Sequence, residues 1–226
     1  MVPRLVVFDL DGTLIDSRVD LANSVNATLG HLGRPALPDA VIATYIGDGV
    51  SMLVRRALGD PEGDIHDEEY VEEAVTYFLD YYREHKLDFT YVYAGVVEAL
   101  DEIRWMMPDA PMAVLTNKPA RPSRDICAHF GLDRYFFQNY GGNSFHTKKP
   151  DPTGLLALMA EAGGVRPEDT VMVGDSAVDV LTAKNCGARS VGCLFGLAPH
   201  TLDAAGPDAT VMSPLEWVRA IREIAG

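Results

Sequence analysis

The sequence predicts an α/β protein: an open parallel sheet with helices on both faces, interrupted after its first strand by an all-helical insertion. Three observations carry this reading. Leu5–Phe8 is a β-branched and aromatic run without alternation, as expected for a strand covered on both faces. From Gly95 onward, strand-like and helix-like segments alternate, which implies right-handed βαβ units. Between them, residues 17–92 contain few β-branched runs and several helical periodicities, so this stretch reads as a small inserted domain within a host formed by residues 1–16 and 93–226.

In the insertion, Leu21, Val25, Thr28, Leu29 and Leu32 follow three-and-four spacing and stop near Gly33. Val50, Leu53, Val54, Ala57 and Leu58 form a second apolar stripe closed by Gly59. The segment "DEEYVEEAVTYFLDYYREHK" is a long amphipathic helix whose acidic first turn and basic last turn suit the helix dipole. In the host, "VVEALDEIRWM" reads as a helix, "PMAVLTN" as a strand, "ARPSRDICAHFGL" as a helix and "YFFQNY" as a short strand. "PTGLLALMAEAG" is then a helix, "TVMVGDS" a strand, "AVDVLTAKNCGA" a helix, and "RSVGCLF" and "ATVMS" strands, with "PLEWVRAIREIA" as the closing helix.

The 226 residues are 47% hydrophobic and 23% charged, enough apolar sequence for a sizeable core. A formal charge of -14 argues against general nucleic-acid or anionic-membrane binding. No stretch is apolar for the roughly 20 residues of a membrane span, and no signal peptide is recognisable, so a cytoplasmic location is expected. Cys127, Cys186 and Cys193 are too few and too scattered for a disulfide framework and read as reduced thiols. The six histidines show no metal-binding spacing.

Ligands of open α/β sheets bind beyond the carboxyl ends of the strands. Asp9 and Asp11 follow the first strand, Thr116 and Asn117 end another, and Asp175 follows "VMVG" with Ser176 beside it and Asp179 one helical turn on. Lys149 sits in the loop "TKKPDP". Singly these are ordinary turn, cap and surface residues; their joint placement at one edge suits phosphoryl transfer. A carboxylate such as Asp9 can attack phosphorus and split one displacement into two. Attacker and phosphate are both anionic, so a cation must lie between them; magnesium takes one or two carboxylates, and Asp9 and Asp175 are natural ligands. Manganese accepts the same oxygens. Lys149 would neutralise further charge, and Thr116 and Asn117 would donate hydrogen bonds to the transferring group. If the extended geometry of the first strand persists, Asp11 points the same way as Asp9; with that neighbour bound to metal, Asp11 is left to hold a proton, for the leaving group and then for water. An EF-hand is excluded, because Gly12 is in the wrong place for a calcium loop.

"DLDGTLID", "LTNKP", "KKPDP" and "GDSAVD", in this order, resemble the four motifs of the haloacid dehalogenase-like phosphohydrolases. The resemblance runs over essentially the whole chain. It implies a Rossmann-like catalytic core with residues 17–92 as a helical cap. It also implies Asp9 as nucleophile and Asp11 as general acid/base. Mg²⁺ would be held by Asp9, the backbone carbonyl of Asp11 and Asp175. Thr116 and Lys149 would bind the phosphoryl group, Asp179 would orient Lys149 or a metal-bound water, and Thr13 would shape the flap after the first strand. The segment "YIGDGVSMLVRRALG" resembles the cap of phosphoglycolate phosphatases, where a Gly-x-Gly opens a helix carrying an arginine. Gly47 and Gly49 would free backbone N–H groups for an anion, and Arg56 would reach a substrate carboxylate. Asp48 and "FGLAPH" depart from that pattern, where asparagine and a glycine-rich segment are frequent.

The expected activity is therefore Mg²⁺-dependent hydrolysis of a small phosphorylated metabolite, with 2-phosphoglycolate as the best candidate and a monomer or homodimer as the form. A β-phosphoglucomutase-like isomerase or an inorganic pyrophosphatase on the same framework is the enzymatic alternative. A receiver-like phospho-acceptor switch is the non-enzymatic one, against which the insertion and Asp11 speak. Dehalogenation is not expected, since dehalogenases of the family lack an acid at the Asp11 position.

Overall fold

The computed structural model describes residues 3–225. The chain forms two compact units, one running to Asp16 and resuming at Val92, the other Ser17–Tyr91. Strand β1 (Leu5–Phe8) is followed by two short strands, β2 (Ile15–Asp16) and β3 (Tyr91–Val92), which pair with each other. The main sheet adds β4 (Met112–Leu115), β5 (Phe136–Tyr140), β6 (Thr170–Gly174), β7 (Arg189–Cys193) and β8 (Ala209–Val211). Its order is β5-β4-β1-β6-β7-β8 and every pairing is parallel. The chain moves outward from β1 to one side, then returns to the other. Such a reversal leaves a crevice at the strand ends, where connections diverge.

The unit Ser17–Tyr91 is helical: α1 (Arg18–His31), α2 (Asp39–Ala43), α3 (Val50–Leu58) and α4 (Glu68–His85). The apolar stripes meet in one core containing Leu21, Val25, Leu53, Val54, Phe78 and Tyr82. Gly59 closes α3 at φ 78°, the left-handed conformation that favours glycine. Asp20 of α1 is buried, and its carboxylate accepts the N–H groups of Phe89 and Thr90 and the Thr90 hydroxyl at 2.7–3.1 Å. These bonds fasten the end of the helical segment to its beginning.

Among the described residues, six α-helices follow in the other unit: α5 (Val96–Met106), α6 (Ala120–His129), α7 (Thr153–Glu161), α8 (Ala177–Cys186), α9 (Leu202–Ala205) and α10 (Trp217–Ala225). Leu5 and Val7 join a core with Leu155, Leu158 and Met159 of α7 and Ala183 of α8. Phe8 has the opposite parity and its ring lies 5.1 Å from Trp217 of α10 and 6.1 Å from Phe136. Both faces of β1 are covered, which is why its sequence does not alternate. Phe8→Ala would cost roughly 3–5 kcal/mol by opening a cavity there. The strand-like "RSVGCLF" and "ATVMS" stop at Cys193 and Val211, and β2, β3, α2 and α9 are too short to leave a periodicity in the sequence. No helix among the described residues is long and apolar enough to cross a membrane.

Candidate active site

The backbone leaves β1 through a tight turn. Asp9 N–H still bonds to Val173 O at 2.9 Å, continuing the ladder with β6, but Leu10 O then accepts Leu14 N–H and Ile15 N–H at 2.9 and 3.1 Å. Extended geometry therefore ends at Asp9, and the two acids of the first motif meet different lysines. Asp9 lies 2.8 Å from Lys149 Nζ, an ion pair without hydrogen-bond alignment at Oδ1. Asp11 receives Lys118 Nζ on both carboxylate oxygens, at 2.9 and 3.0 Å. Each of the two neighbouring carboxylates has its own ammonium.

Lys149 also donates to Asp179 Oδ1 at 2.5 Å. The other Asp179 oxygen takes the Ser176 N–H and hydroxyl at 3.1 and 2.7 Å, completing a capping box that starts α8. Asn117 Nδ2 donates to Lys149 O at 3.1 Å, and Thr116 is buried at the end of β4, its N–H bonded to Tyr140 O. Asp175, after β6, is fixed by backbone: its Oδ2 accepts Leu197 N–H and Ala198 N–H at 2.6 and 3.0 Å. Gly12, at φ 85°, would place a Cβ only 2.1 Å from Asp175 Oδ2. A Cβ on Gly196 would lie 2.2 Å from Asp175 Cβ and 2.4 Å from Gly12 O. Two loops thus close on one carboxylate at backbone distance.

Asp9, Asp175 and Asp179 are all buried, with one oxygen of each within 4.8 Å of the others. Burial, partly offset by Lys149 and reinforced by Asp179, pushes Asp9 up to about 6. Burial, with Asp179 and Asp9 next, raises Asp175 well above the usual carboxylate range. For Lys149 burial alone would favour the neutral amine, but Asp179 and Asp9 outweigh it and hold the ammonium. Three clustered buried carboxylates, two of them against one buried ammonium, fit a hard divalent cation, for which such oxygens are the preferred donors. Both oxygens of Asp179 accept hydrogen bonds, from Lys149 and from Ser176.

The haloacid dehalogenase-like hydrolase model matches residues 6–193. The chain belongs to that family. A Pseudomonas aeruginosa protein named phosphoglycolate phosphatase 1 is 43% identical over 198 residues, 86% of this chain and 71% of that protein. A Chromobacterium violaceum phosphoglycolate phosphatase is 38% identical over 213 residues, 94% of each. The crystal structure of a predicted phosphoglycolate phosphatase from Haemophilus somnus superposes with a TM-score of 0.86 at 28% identity, covering 96% of both chains.

Within this member of the haloacid dehalogenase-like hydrolases, the strand-end residues named from sequence gather in one unit: Asp9, Asp11, Thr116, Asn117, Lys149, Asp175, Ser176 and Asp179. Thr13 is buried in the turn after β1, its hydroxyl without a hydrogen-bond partner. Gly47, Gly49 and Arg56 belong to the helical unit, where Gly49 precedes α3 at φ 86°. There Arg56 donates to Tyr45 O at 2.9 Å and pairs with Asp48. Two contributors were missed from the sequence. Lys118 stands inside "LTNKP" as a basic residue just past a strand end, a signal that was legible. The Leu197–Ala198 amides leave no trace, since any residue except proline supplies an N–H. Burial pushes the Cys127 thiol up to about 12 and Cys193 well above its usual value.

Proposed function

We propose that this chain is a magnesium-dependent phosphatase that hydrolyses a small organic phosphomonoester, 2-phosphoglycolate first, through an aspartyl-phosphate. The carrying observation is the buried Asp9 carboxylate in contact with Lys149 and beside Asp175, with Asp11 as a second acid on its own lysine. When bound, magnesium supplies charge neutralisation between carboxylate and phosphate. It would be held by Asp9, Asp175 and the backbone carbonyl of Asp11.

An Asp9 oxygen attacks phosphorus, and the bond from phosphorus to the ester oxygen breaks. Asp11 gives its proton to the departing alkoxide. Asp11, now a carboxylate, takes a proton from water as that water attacks the phosphorus of the aspartyl-phosphate; inorganic phosphate leaves and Asp9 is restored. Lys149, held by Asp179, and the Thr116 hydroxyl stabilise charge on the phosphoryl oxygens in both steps. Phosphoglycolate is supported by the names of the relatives. Arg56, with Gly47 and Gly49, is the candidate for its carboxylate, which would have to exchange with Asp48 on the guanidinium.

The test is phosphate release with added Mg²⁺ across phosphoglycolate, sugar phosphates, nucleotides and pyrophosphate. Fastest release from phosphoglycolate is expected. Sugar-phosphate interconversion with little free phosphate would instead identify a mutase, and a slowly decaying phosphoprotein without turnover would identify a switch.

A further inference from the structure

We propose that Lys118 is a positioning residue for the proton carrier: it fixes the Asp11 carboxylate and ties it to the phosphoryl-binding Thr116. The inference rests on the proposed roles of Asp9 and Asp11. Lys118 Nζ contacts both Asp11 oxygens, at 2.9 and 3.0 Å. Its side chain is 3% exposed and that of Asp11 14%. An ammonium this deep costs stability unless paired, and an apolar side chain of similar volume would often serve packing equally well.

The lysine is itself held from both directions along the backbone. Its N–H donates to Thr116 Oγ1 at 3.2 Å, and its carbonyl accepts Gly142 N–H at 2.8 Å. Gly141 crosses so close that a Cβ there would lie 2.6 Å from Lys118 O. Asp11, by contrast, sits on the turn after β1, outside the strand ladder. Two contacts from one fixed ammonium set the plane of the carboxylate. The same residue, through its N–H, fixes the hydroxyl that faces the transferring group, so donor and proton carrier keep one mutual geometry.

The two half-reactions separate this role from general damage. With p-nitrophenyl phosphate the leaving anion needs no proton, so the first displacement does not need Asp11, while the attack of water still does. Lys118→Met should therefore release about one equivalent of nitrophenolate in a burst near the wild-type rate, followed by steady turnover about 10²-fold slower. On an alkyl phosphate, kcat should fall about as far with no burst. Lys118→Arg, which keeps a cation, should recover most of the loss. The double variant Lys118→Met, Asp11→Asn should be no slower than Asp11→Asn alone. Equal loss in burst and steady state, no loss at all, or additive loss in the double variant would overturn the proposal, as would equal failure of Lys118→Met and Lys118→Arg. If instead Asp11→Asn by itself left both phases unchanged, the parent reading of Asp11 would fail, which is a different result.

Discussion

Exposed short-range charge pairs occur in both units, but the buried pairs of Lys118 with Asp11 and Lys149 with Asp179, each spanning 30 or more positions, lie in the sheet unit. In the helical unit, Arg83 pairs with Asp80 three positions away and both side chains are more than half exposed. Arg56 and Asp48 are eight positions apart. In the sheet unit, Lys118 reaches Asp11 across 107 positions and Lys149 reaches Asp179 across 30, with no side chain in these pairs more than 14% exposed. An exposed short-range pair is worth about 0.2–1 kcal/mol and furnishes a helix surface. A buried long-range pair must overcome several kcal/mol of desolvation and is seldom the most stable solution for a core. Where a fold carries that cost repeatedly at its strand ends, the pairs stand out as candidates for chemistry rather than for stability.

The contrast can be broken first at its strongest point. Asp9→Asn should reduce turnover by about 10⁴-fold or more, because the nucleophile is lost, while circular dichroism shows the fold retained; residual turnover near wild type would refute Asp9 as attacker. Lys149→Met should lower kcat by about 10²–10³-fold, the usual cost of a missing charge-stabilising donor. In the helical unit, Arg56→Ala should raise KM about 10-fold for a carboxylated substrate and hardly at all for p-nitrophenyl phosphate, so equal effects would remove Arg56 from recognition.

The smallest effect concerns Asp60, whose carboxylate accepts Asp64, Ile65 and His66 N–H groups at 2.9–3.1 Å. Burial opposes ionisation there, but these amides outweigh it and lower the pKa. A lowered folded value means the contribution is complete above the unfolded value of about 3.9 and fades as pH falls through the folded one. The melting-temperature gap between wild type and Asp60→Ala should be present at pH 7 and shrink below about pH 3.9. A gap independent of pH would reject the carboxylate as its source.

Much of this was legible beforehand, and what was not has identifiable causes. The Leu5–Phe8 run reports a strand buried on both faces because each residue had to be apolar. Glycines 59 and 12 report left-handed turns because other residues are strained there. Side chains at strand ends announce the site because the sheet directs them to one edge. Two-residue strands and the five-residue α2 are set by tertiary contacts rather than local preference, so no pattern records them. The extended geometry on which the shared parity of Asp9 and Asp11 depended does not persist, because the turn closing on Leu10 O ends the strand between them. Which lysine meets which aspartate depends on loop paths that spacing does not encode.

The bonds from Asp20 to Phe89 and Thr90 have a consequence for how such a chain can change over time. Because the first helix of the insert grips its last residues, the 75-odd positions between leave and rejoin the host almost at one point, and loop-closure entropy grows only slowly with what lies inside. To the sheet, the whole helical module is equivalent to a hairpin bend. Material can be added to or trimmed from it while the six-stranded register stays as it is.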